Sequence, residues 1–356
     1  MNEKDLNHTP LFTVVLAGYQ TEPYLQKALD SIANQTFRDF EAICYVEEST
    51  DRSLEMCQAM AERDSRFKVA TGPKSGGVGA TRNYGIDHAS GKYLVVLDGD
   101  DWLAEDMLEK LAGKLDQTGE VDLLSFVAIS TETEMVDPVS ARRLTNFSAE
   151  DENNSFSGLD AIRKAGRNGG QFHAYTVLCI YLVEFLRKHR LYQKLGVMED
   201  FEWTPRVWYH AKQMAYLGEV FYFYRRRSNS LTTEASSRII FDLTEHLRSL
   251  LEFAASEPVP EDILVIWSNQ WVSTLFWFMF HPVTSRKISD DYRKKALARL
   301  FAGNGQARFL KILSNTTRPK RLAQPLILLA AKGILFPAKM YFHHLYYPLV
   351  ERRGKK

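Results

Sequence analysis

The sequence predicts an α/β protein in which helices flank a mostly parallel sheet, followed by a helical C-terminal appendage. Short apolar runs alternate with segments of helical periodicity between residues 11 and 129, as in βα units. The run at 93–97 is apolar throughout, which is typical of a strand covered on both faces. From about residue 237 onward the pattern is almost entirely helical, which predicts the appendage.

Each predicted element in the first 130 residues rests on its own pattern. The apolar run at 12–17 is typical of a buried strand. Four apolar residues then recur at the spacing of one helix face, namely Leu25, Ala28, Leu29 and Ile32. Three further elements follow: a strand at 40–46, a helix at 53–63 and a short strand at 67–70.

The second half of the sequence is less regular. A polar stretch after residue 129 is interpreted as a long surface loop. Helical patterns return at Leu159, and the aromatic run at 214–227 predicts one or two strands at the edge of the sheet. The longest apolar tract, at 326–337, is too short to span a membrane, so no transmembrane helix is predicted.

Composition and charge bear on the class of function. The 356 residues include 45 basic and 44 acidic side chains, so no overall field favours nucleic acid as a partner. The cysteines Cys44, Cys57 and Cys179 match neither a CxxC pair nor an even disulfide framework, and we expect buried free thiols. The polar start MNEKDLNHTP lacks the apolar run of a signal sequence, so we expect a cytoplasmic location.

Three aspartates, Asp98, Asp100 and Asp101, directly follow the apolar run at 93–97. Ligands of open α/β sheets bind outside the carboxyl ends of the strands, so this is a candidate site. Like charges so close together raise one another's pKa, and a divalent cation is the simplest compensation. Carboxylate oxygens suit Mg²⁺ or Mn²⁺ rather than zinc. The alternative is a turn whose aspartates cap a helix beginning near Trp102.

Several separated blocks in the first 120 residues resemble the N-terminal half of family 2 glycosyltransferases, which have the GT-A fold. The blocks are in the family's order and include FTVVLAGYQTEPYLQKALDSI, VEESTDRS and SGGVGATRNYGIDHASGKYLVVLDGDDW. The resemblance implies a Rossmann-like GT-A sheet. It also implies that Asp98, Asp100 and Asp101 hold a nucleotide diphosphate through Mn²⁺ or Mg²⁺.

The resemblance further implies which residues contact the nucleotide. They are Ala17, Tyr19, Glu22, Glu47, Arg82, Asp98 and Asp100. Two positions depart from the family's pattern: AGYQ replaces a PVYN-like turn, and Glu47-Glu48 replaces a pair of aspartates. Because glutamate reaches farther than aspartate, the second departure bears on recognition of a uracil base.

A glycine-rich stretch, GPKSGGVGATRN, precedes the aspartates. It has no GxxxxGK[ST] sequence, and Gly77-Val78-Gly79 lacks the third glycine of the dinucleotide fingerprint. We expect its backbone, at Gly77 in particular, to pass close to the bound nucleotide. A plain loop is the alternative.

The block GVMEDFEWTPRVW matches the family a second time, about a hundred residues after the aspartates. In that family the aspartate of an ED pair at a helix start is the catalytic base, which implies this role for Asp200. Taken by itself, Asp200 would be a first-turn residue favoured by the helix macrodipole. Downstream, Arg225, Arg226 and Arg227 resemble arginines that steady a diphosphate or an acceptor phosphate in related enzymes, or form a solvated basic turn.

Together these features predict an inverting, metal-dependent glycosyltransferase. It would move a sugar from a nucleotide donor, UDP-linked, to a saccharide or lipid-linked acceptor in polysaccharide or glycolipid synthesis. Residues 1–235 would form the GT-A catalytic domain, with a nucleotide-sugar half at about 10–130 and an acceptor half at 131–235. The helical region 236–356 carries apolar and basic residues that suit contact with the inner face of a membrane, or packing against the catalytic domain.

Two other functions are open to this sequence. One is a non-catalytic scaffold with the same fold, and the other is a nucleotidyltransferase. The second would need a basic loop after the first strand to activate a triphosphate, and AGYQTEPY contains no lysine or arginine.

Overall fold

The computed structural model describes residues 8–136, 141–167, 172–227, 237–280 and 288–300. These residues belong to two compact units that alternate along the chain. The first unit draws on Met1–Ala161, His173–Gly196 and His210–Arg227, and the second on Ile162–Phe172, Val197–Tyr209 and Ser228–Lys356. The domain boundary after residue 235 stays a prediction.

The first unit is built on a nine-stranded sheet whose first four strands are parallel, as predicted. They are β1 (Phe12–Gly18), β2 (Phe40–Glu47), β3 (Phe67–Gly72) and β4 (Tyr93–Asp98). Their order in the sheet is β3-β2-β1-β4. β1 and β2 are buried along their whole length, as strands covered on both faces are. The predicted α/β fold class is confirmed.

The other five strands run in mixed directions. They are β5 (Trp102–Leu103), β6 (Leu123–Thr131), β7 (Arg142–Leu144), β8 (Cys179–Leu182) and β9 (Met214–Arg225). β8 is antiparallel to both β4 and β6, β9 is parallel to β6, β5 is antiparallel to β9, and β7 pairs with β6. The prediction that the aromatic run lies at the sheet edge is wrong, because the short β5 pairs with the outer side of β9.

Helices connect the strands of this unit. They are α1 (Glu22–Ala33), α2 (Ser53–Arg63), α3 (Gly79–His88), α4 (Met107–Thr118), the start of α5 (Gly158–Arg167) and α6 (Val183–Lys188). α1 carries Pro23 in its first turn, where no intrahelical partner for its N–H is needed. The predicted apolar face of α1 is buried at Leu25, Ala28, Leu29 and Ile32. The three cysteines are buried free thiols, as predicted.

The second unit is helical in the residues that the structure describes. Its helices are α7 (Asp200–His210) up to Tyr209, α8 (Ser237–Ser256), α9 (Glu261–Phe280) and α10 (Asp290–Leu300). Apolar side chains form its core, among them Leu243, Leu247, Trp271 and Leu275. The segment predicted to contact a membrane includes residues 301–356, which lie outside the described residues. Among the helices described, none has the length and apolar character needed to cross a membrane.

Candidate functional site

The candidate site lies where β1 and β4 end. Asp98, the last residue of β4, is paired with Ala17 of β1. The next residue, Gly99, donates a 2.9 Å backbone hydrogen bond to the carbonyl oxygen of Ala17. A Cβ atom at this position would lie 2.7 Å from that oxygen. The close approach therefore requires glycine, and it holds the aspartate loop against β1.

Asp98 forms an ion pair with an arginine of α3. Arg82 is only 6% exposed, and its Nη2 lies 3.1 Å from Oδ1 of Asp98. Its Nη1 also reaches the side-chain oxygen of Gln193 at 3.5 Å. Arg82, which the sequence places near the aspartates, is thus the direct counterion of Asp98.

Asp100 forms a second ion pair, with the arginine that follows β9. Nε of Arg227 lies 2.7 Å from Oδ2 of Asp100. Burial raises the pKa of Asp100, the Arg227 guanidinium opposes that rise, and the charge of Asp98 adds to it. The carboxylate of Asp100 is therefore a place where positive charge is stabilising.

Asp101 has different surroundings. It is 1% exposed, and its Oδ2 accepts a 2.6 Å hydrogen bond from the Tyr222 hydroxyl. Its Oδ1 accepts a 2.7 Å hydrogen bond from the backbone N–H of Arg225. Burial, with the charges of Asp100 and Asp98, raises the pKa of Asp101 well above its usual range. Both oxygens of Asp101 thus serve to join the aspartate loop to β9.

This pairing changes the electrostatic argument for a metal ion. The sequence predicts that a divalent cation compensates the aspartates, whereas guanidinium groups compensate two of them in the structure. Within the described ranges, no group of three or more His, Cys, Asp or Glu side chains is arranged to hold a metal ion. Protein donors bond both oxygens of Asp101, and the predicted ligand set of three aspartates stays a prediction.

The three consecutive arginines have separate surroundings. Arg225 donates 2.9 Å hydrogen bonds to the carbonyl oxygen of Asp100 and to Glu134. Its guanidinium also lies over the rings of Tyr24 and Trp102, at 5.0 and 4.8 Å. Arg225 is therefore held in place by contacts on several sides.

Arg227 is held less completely than Arg225. Its Nε–H is buried and makes no hydrogen bond within the described chain, because it is not aimed at the nearby Asp100 oxygen. Arg226 forms an exposed 3.4 Å ion pair with Glu132. Arg227 thus keeps a buried N–H that no group of the described chain accepts, beside the carboxylate of Asp100.

The glycine-rich stretch folds over the end of β2. Glu47, which is buried, accepts a 3.0 Å hydrogen bond from the backbone N–H of Ser75 and a second from the Ser75 hydroxyl. Nζ of Lys74 lies 4.6 Å from the ring centre of Tyr19. The structure thus brings Tyr19 and Glu47, two predicted nucleotide contacts, into contact with one loop.

Gly77 is glycine for a reason that the sequence does not reveal. A Cβ atom at Gly77 would lie 1.7 Å from the carbonyl oxygen of Gly196, and one at Gly79 would lie 2.5 Å from that of Lys194. The close neighbour of Gly77 is therefore another loop of the chain, whereas the sequence predicts a nucleotide. Contact of Gly77 with a nucleotide stays a prediction.

Glu22 connects two helices. Its backbone N–H donates a 2.9 Å hydrogen bond to Asp51, and its carboxylate forms a 2.7 Å ion pair with Arg52. The hydrogen bonds from Arg52 lower the pKa of Glu22. The structure therefore gives Glu22 a role at the N-termini of α1 and α2, and its nucleotide contact stays a prediction.

Asp200, the predicted base, is the first residue of α7 in the second unit. A carboxylate in the first turn is favoured by the positive end of the helix macrodipole. The preceding Glu199 is buried. The predicted role of Asp200 rests on the resemblance.

Sequence reasoning missed residues that hold the site together from a distance. Tyr222 was not among the predicted site residues, yet its hydroxyl donates a hydrogen bond to Asp101 and accepts a 3.2 Å hydrogen bond from the backbone N–H of Asp98. Gln193 bridges Arg82 to Thr176. Tyr222 and Gln193 contact site residues that lie more than a hundred positions away in the sequence. No local sequence pattern could therefore have identified them.

Three comparisons relate the chain to known proteins. The family model described as Glycosyl transferase family 2 matches residues 13–190. The uncharacterized glycosyltransferase EpsJ of Bacillus subtilis is 27% identical over 232 residues, covering 63% of this chain and 63% of EpsJ. The minor teichoic acid biosynthesis protein GgaB of the same organism is 34% identical over 129 residues, covering 35% of this chain and 14% of GgaB. The matches thus span less than two thirds of these relatives.

A solved structure extends the comparison to most of the chain. The crystal structure of S. aureus TarS 1–349 in complex with UDP-GlcNAc matches with a TM-score of 0.73 at 18% identity. The match covers 95% of this chain and 92% of that chain. At this identity the likeness shows the fold alone, and the predicted GT-A fold is confirmed.

Proposed function

The chain belongs to glycosyltransferase family 2, and on that premise we propose that it transfers a sugar from a UDP-linked donor to an acceptor hydroxyl, with inversion. One observation carries the proposal: paired carboxylates and arginines are gathered at the strand ends of the GT-A sheet. They are Asp98, Asp100, Arg82 and Arg227. This arrangement suits a charged diphosphate that must gain negative charge as it leaves.

The arginines are the proposed stabilisers of the leaving group. A guanidinium binds phosphate oxygens through paired N–H donors, and such charge-assisted hydrogen bonds are strong. Arg227 fits this role because its side chain lies beside Asp100 and is 26% exposed, so a ligand can reach its guanidinium. Arg225 fits it less well, since Glu134 and the carbonyl oxygen of Asp100 already bond its guanidinium.

Mn²⁺ or Mg²⁺ is the proposed cofactor, held by Asp98 and Asp100. The donor set fits, because these ions prefer carboxylate oxygens and take remaining ligands from water and phosphate. When bound, such an ion neutralises charge on the diphosphate.

Asp200 is the proposed base. The acceptor oxygen forms a bond to the anomeric carbon, the bond from that carbon to the diphosphate oxygen breaks, and the diphosphate leaves with the electron pair. The proton of the acceptor hydroxyl passes to the Asp200 carboxylate. Attack opposite the leaving group inverts the configuration at the anomeric carbon.

The proposed donor and acceptor draw on the relatives. TarS has been crystallised with UDP-GlcNAc, and GgaB is named for minor teichoic acid biosynthesis. We extend these names to a UDP-sugar donor and a saccharide or lipid-linked acceptor in the synthesis of a surface polymer, at the inner face of the membrane. Tyr19 and Glu47 would contact the nucleotide base.

A thermal-shift measurement with UDP-GlcNAc, with and without Mn²⁺, tests the proposal. A ligand that binds the native state alone raises the melting temperature, by an amount equivalent to about 2.7 kcal/mol at a hundredfold excess over Kd. We expect such a rise in the wild type and in Asp116→Asn, a matched change on the exposed face of α4. We expect little or none in Asp100→Asn. An equal rise in all three proteins would contradict the proposed donor site.

A further inference from the structure

An aromatic pair that the proposed reaction does not use lies in the same unit as the aspartates. The rings of His173 and Tyr175 are stacked, with centroids 5.6 Å apart and planes inclined by 13°. Tyr175 nevertheless remains 37% exposed. Tyr175 is thus the more accessible ring of the pair, and His173 is half-buried.

Strand pairing brings this pair to the edge of the sheet where β4 ends. β8 is antiparallel to β4, with Leu94 opposite Tyr181. Because β8 runs opposite to β4, β8 begins on the side of the carboxyl end of β4, where Asp98 lies. Tyr175 is four residues before β8, so it reaches the same edge as Asp98.

A chain of polar contacts ties the two places together. Gln193 donates a 3.3 Å hydrogen bond to the hydroxyl of Thr176, the residue after Tyr175. The side-chain oxygen of Gln193 accepts a 3.5 Å hydrogen bond from Arg82, which forms the ion pair with Asp98. The aromatic pair is therefore fixed relative to the proposed donor site through three side chains.

The pair is also rigid before any ligand binds. The backbone N–H of His173 donates a 2.7 Å hydrogen bond to the side chain of Asn146, and Asn146 donates a 2.9 Å bond back to the carbonyl of His173. Burial, with the charge of Arg142, lowers the pKa of His173. The lowered pKa favours the neutral imidazole, and the hydrogen bonds to Asn146 hold the backbone of His173 before a ligand binds.

The chemistry of this surface favours a sugar ring over a phosphorylated ligand. A pyranose offers a face of C–H groups to an aromatic ring and hydroxyls to the polar edge of tyrosine. A phosphate would meet no positive charge on the stacked rings themselves. We propose that His173 and Tyr175 form the platform on which the acceptor sugar stacks, which makes the acceptor a saccharide. This inference rests on the proposed function.

Saturation-transfer NMR tests the platform with defined probes in the presence of UDP. The probes are methyl β-D-glucopyranoside, methyl β-D-galactopyranoside, methyl N-acetyl-β-D-glucosaminide and glycerol 3-phosphate. We expect at least one glycoside to bind the wild type and Tyr175→Phe alike, and to bind Tyr175→Ala about tenfold more weakly, the loss of roughly one stacking contact. Leu195→Ala, a change at another exposed apolar residue, should bind as the wild type does.

The outcomes separate this inference from the donor proposal. Absence of glycoside binding to the wild type, equal binding to Tyr175→Ala, or binding of glycerol 3-phosphate alone would each overturn the platform. A UDP-GlcNAc thermal shift is measured on the same samples and should be unchanged in Tyr175→Ala. If that shift is absent from the wild type, the proposed function fails, and the glycoside signal still decides the platform.

Discussion

The hydroxyl of Tyr222 donates a 2.6 Å hydrogen bond to the buried carboxylate of Asp101. The same hydroxyl accepts a 3.2 Å hydrogen bond from the backbone N–H of Asp98. One side chain of β9 thus holds both ends of the aspartate loop. Because Arg225 ends β9 and Arg227 lies two residues beyond it, this bond also sets where the arginines meet the aspartates.

Removal of the Tyr222 hydroxyl should loosen this loop. In Tyr222→Phe the buried Asp101 oxygen loses its donor, and we expect a loss of about 1 to 3 kcal/mol in the free energy of unfolding. Urea unfolding measures it. Tyr24→Phe, which keeps the ring that faces Arg225, should change stability by less than about 0.5 kcal/mol. Equal stability of Tyr222→Phe and the wild type would mean that the bond does not hold the loop.

Gly77 should not tolerate a side chain. A Cβ atom would lie 1.7 Å from the carbonyl oxygen of Gly196, so Gly77→Ala must displace one of two loops. We expect a lower melting temperature and weaker binding of UDP. Gly113→Ala is the matched control, because a Cβ there meets no atom within 4 Å, and alanine in the middle of α4 should add up to about 1 kcal/mol. If both substitutions stabilise the protein, the close contact at Gly77 is not present.

Arg227 and Arg226 should differ in their effect on donor binding. Arg227→Gln removes the counterion of Asp100 and a proposed diphosphate contact, so we expect at least about tenfold weaker binding of UDP, or about 1.4 kcal/mol. Arg226→Gln breaks a pair whose side chains are 64% and 70% exposed, and such pairs contribute about 0 to 1 kcal/mol. Isothermal titration calorimetry measures both. Similar affinities of the two variants would remove Arg227 from the site.

Glu41 should make stability depend on pH. Burial acts to raise its pKa, but hydrogen bonds from Lys68, Ser90 and Thr13 outweigh burial and lower the pKa to about 2. Because the folded pKa lies below the unfolded value, the stabilisation is full above about pH 4.5 and is lost as the pH falls toward 2. We expect Glu41→Gln to cost on the order of 2 to 3 kcal/mol at pH 7 and less at pH 3.5.

Urea unfolding at both pH values checks the Glu41 prediction. Glu62→Gln, an exposed change in the last turn of α2, should stay within about 0.5 kcal/mol of the wild type at either pH. A deficit of Glu41→Gln that is the same at pH 7 and pH 3.5 would show that the carboxylate charge is not what stabilises the fold.

The parallel half of the sheet could be predicted because each of its strands has its own apolar run. β8 and β9 join the sheet through pairings such as Leu94 with Tyr181, which are distant in sequence and leave no local pattern. β9 lies inside the sheet because β5 pairs with its outer side. β5 could not be predicted, because a strand of two residues has no periodicity to detect.

The candidate site shows the same division. The order of Asp98, Asp100 and Asp101 after a buried strand was visible in the sequence. The sequence did not show which aspartate is available to a ligand. The groups that donate hydrogen bonds to Asp101 are on β9, more than a hundred residues later. The arginine counterions of Asp98 and Asp100 could not be predicted for the same reason, since they come from α3 and from the residues after β9.

The most direct test of the account separates donor binding from transfer at two aspartates. UDP release from UDP-GlcNAc is measured with Mn²⁺ and with the saccharide that the binding experiment selects, alongside UDP affinity by calorimetry. We predict that Asp200→Asn keeps the UDP affinity of the wild type, whereas its rate of UDP release falls at least about a hundredfold, as expected of a general base. Asp100→Asn should lose affinity itself. Transfer by Asp200→Asn at the rate of the wild type, with the donor bound, would contradict the mechanism.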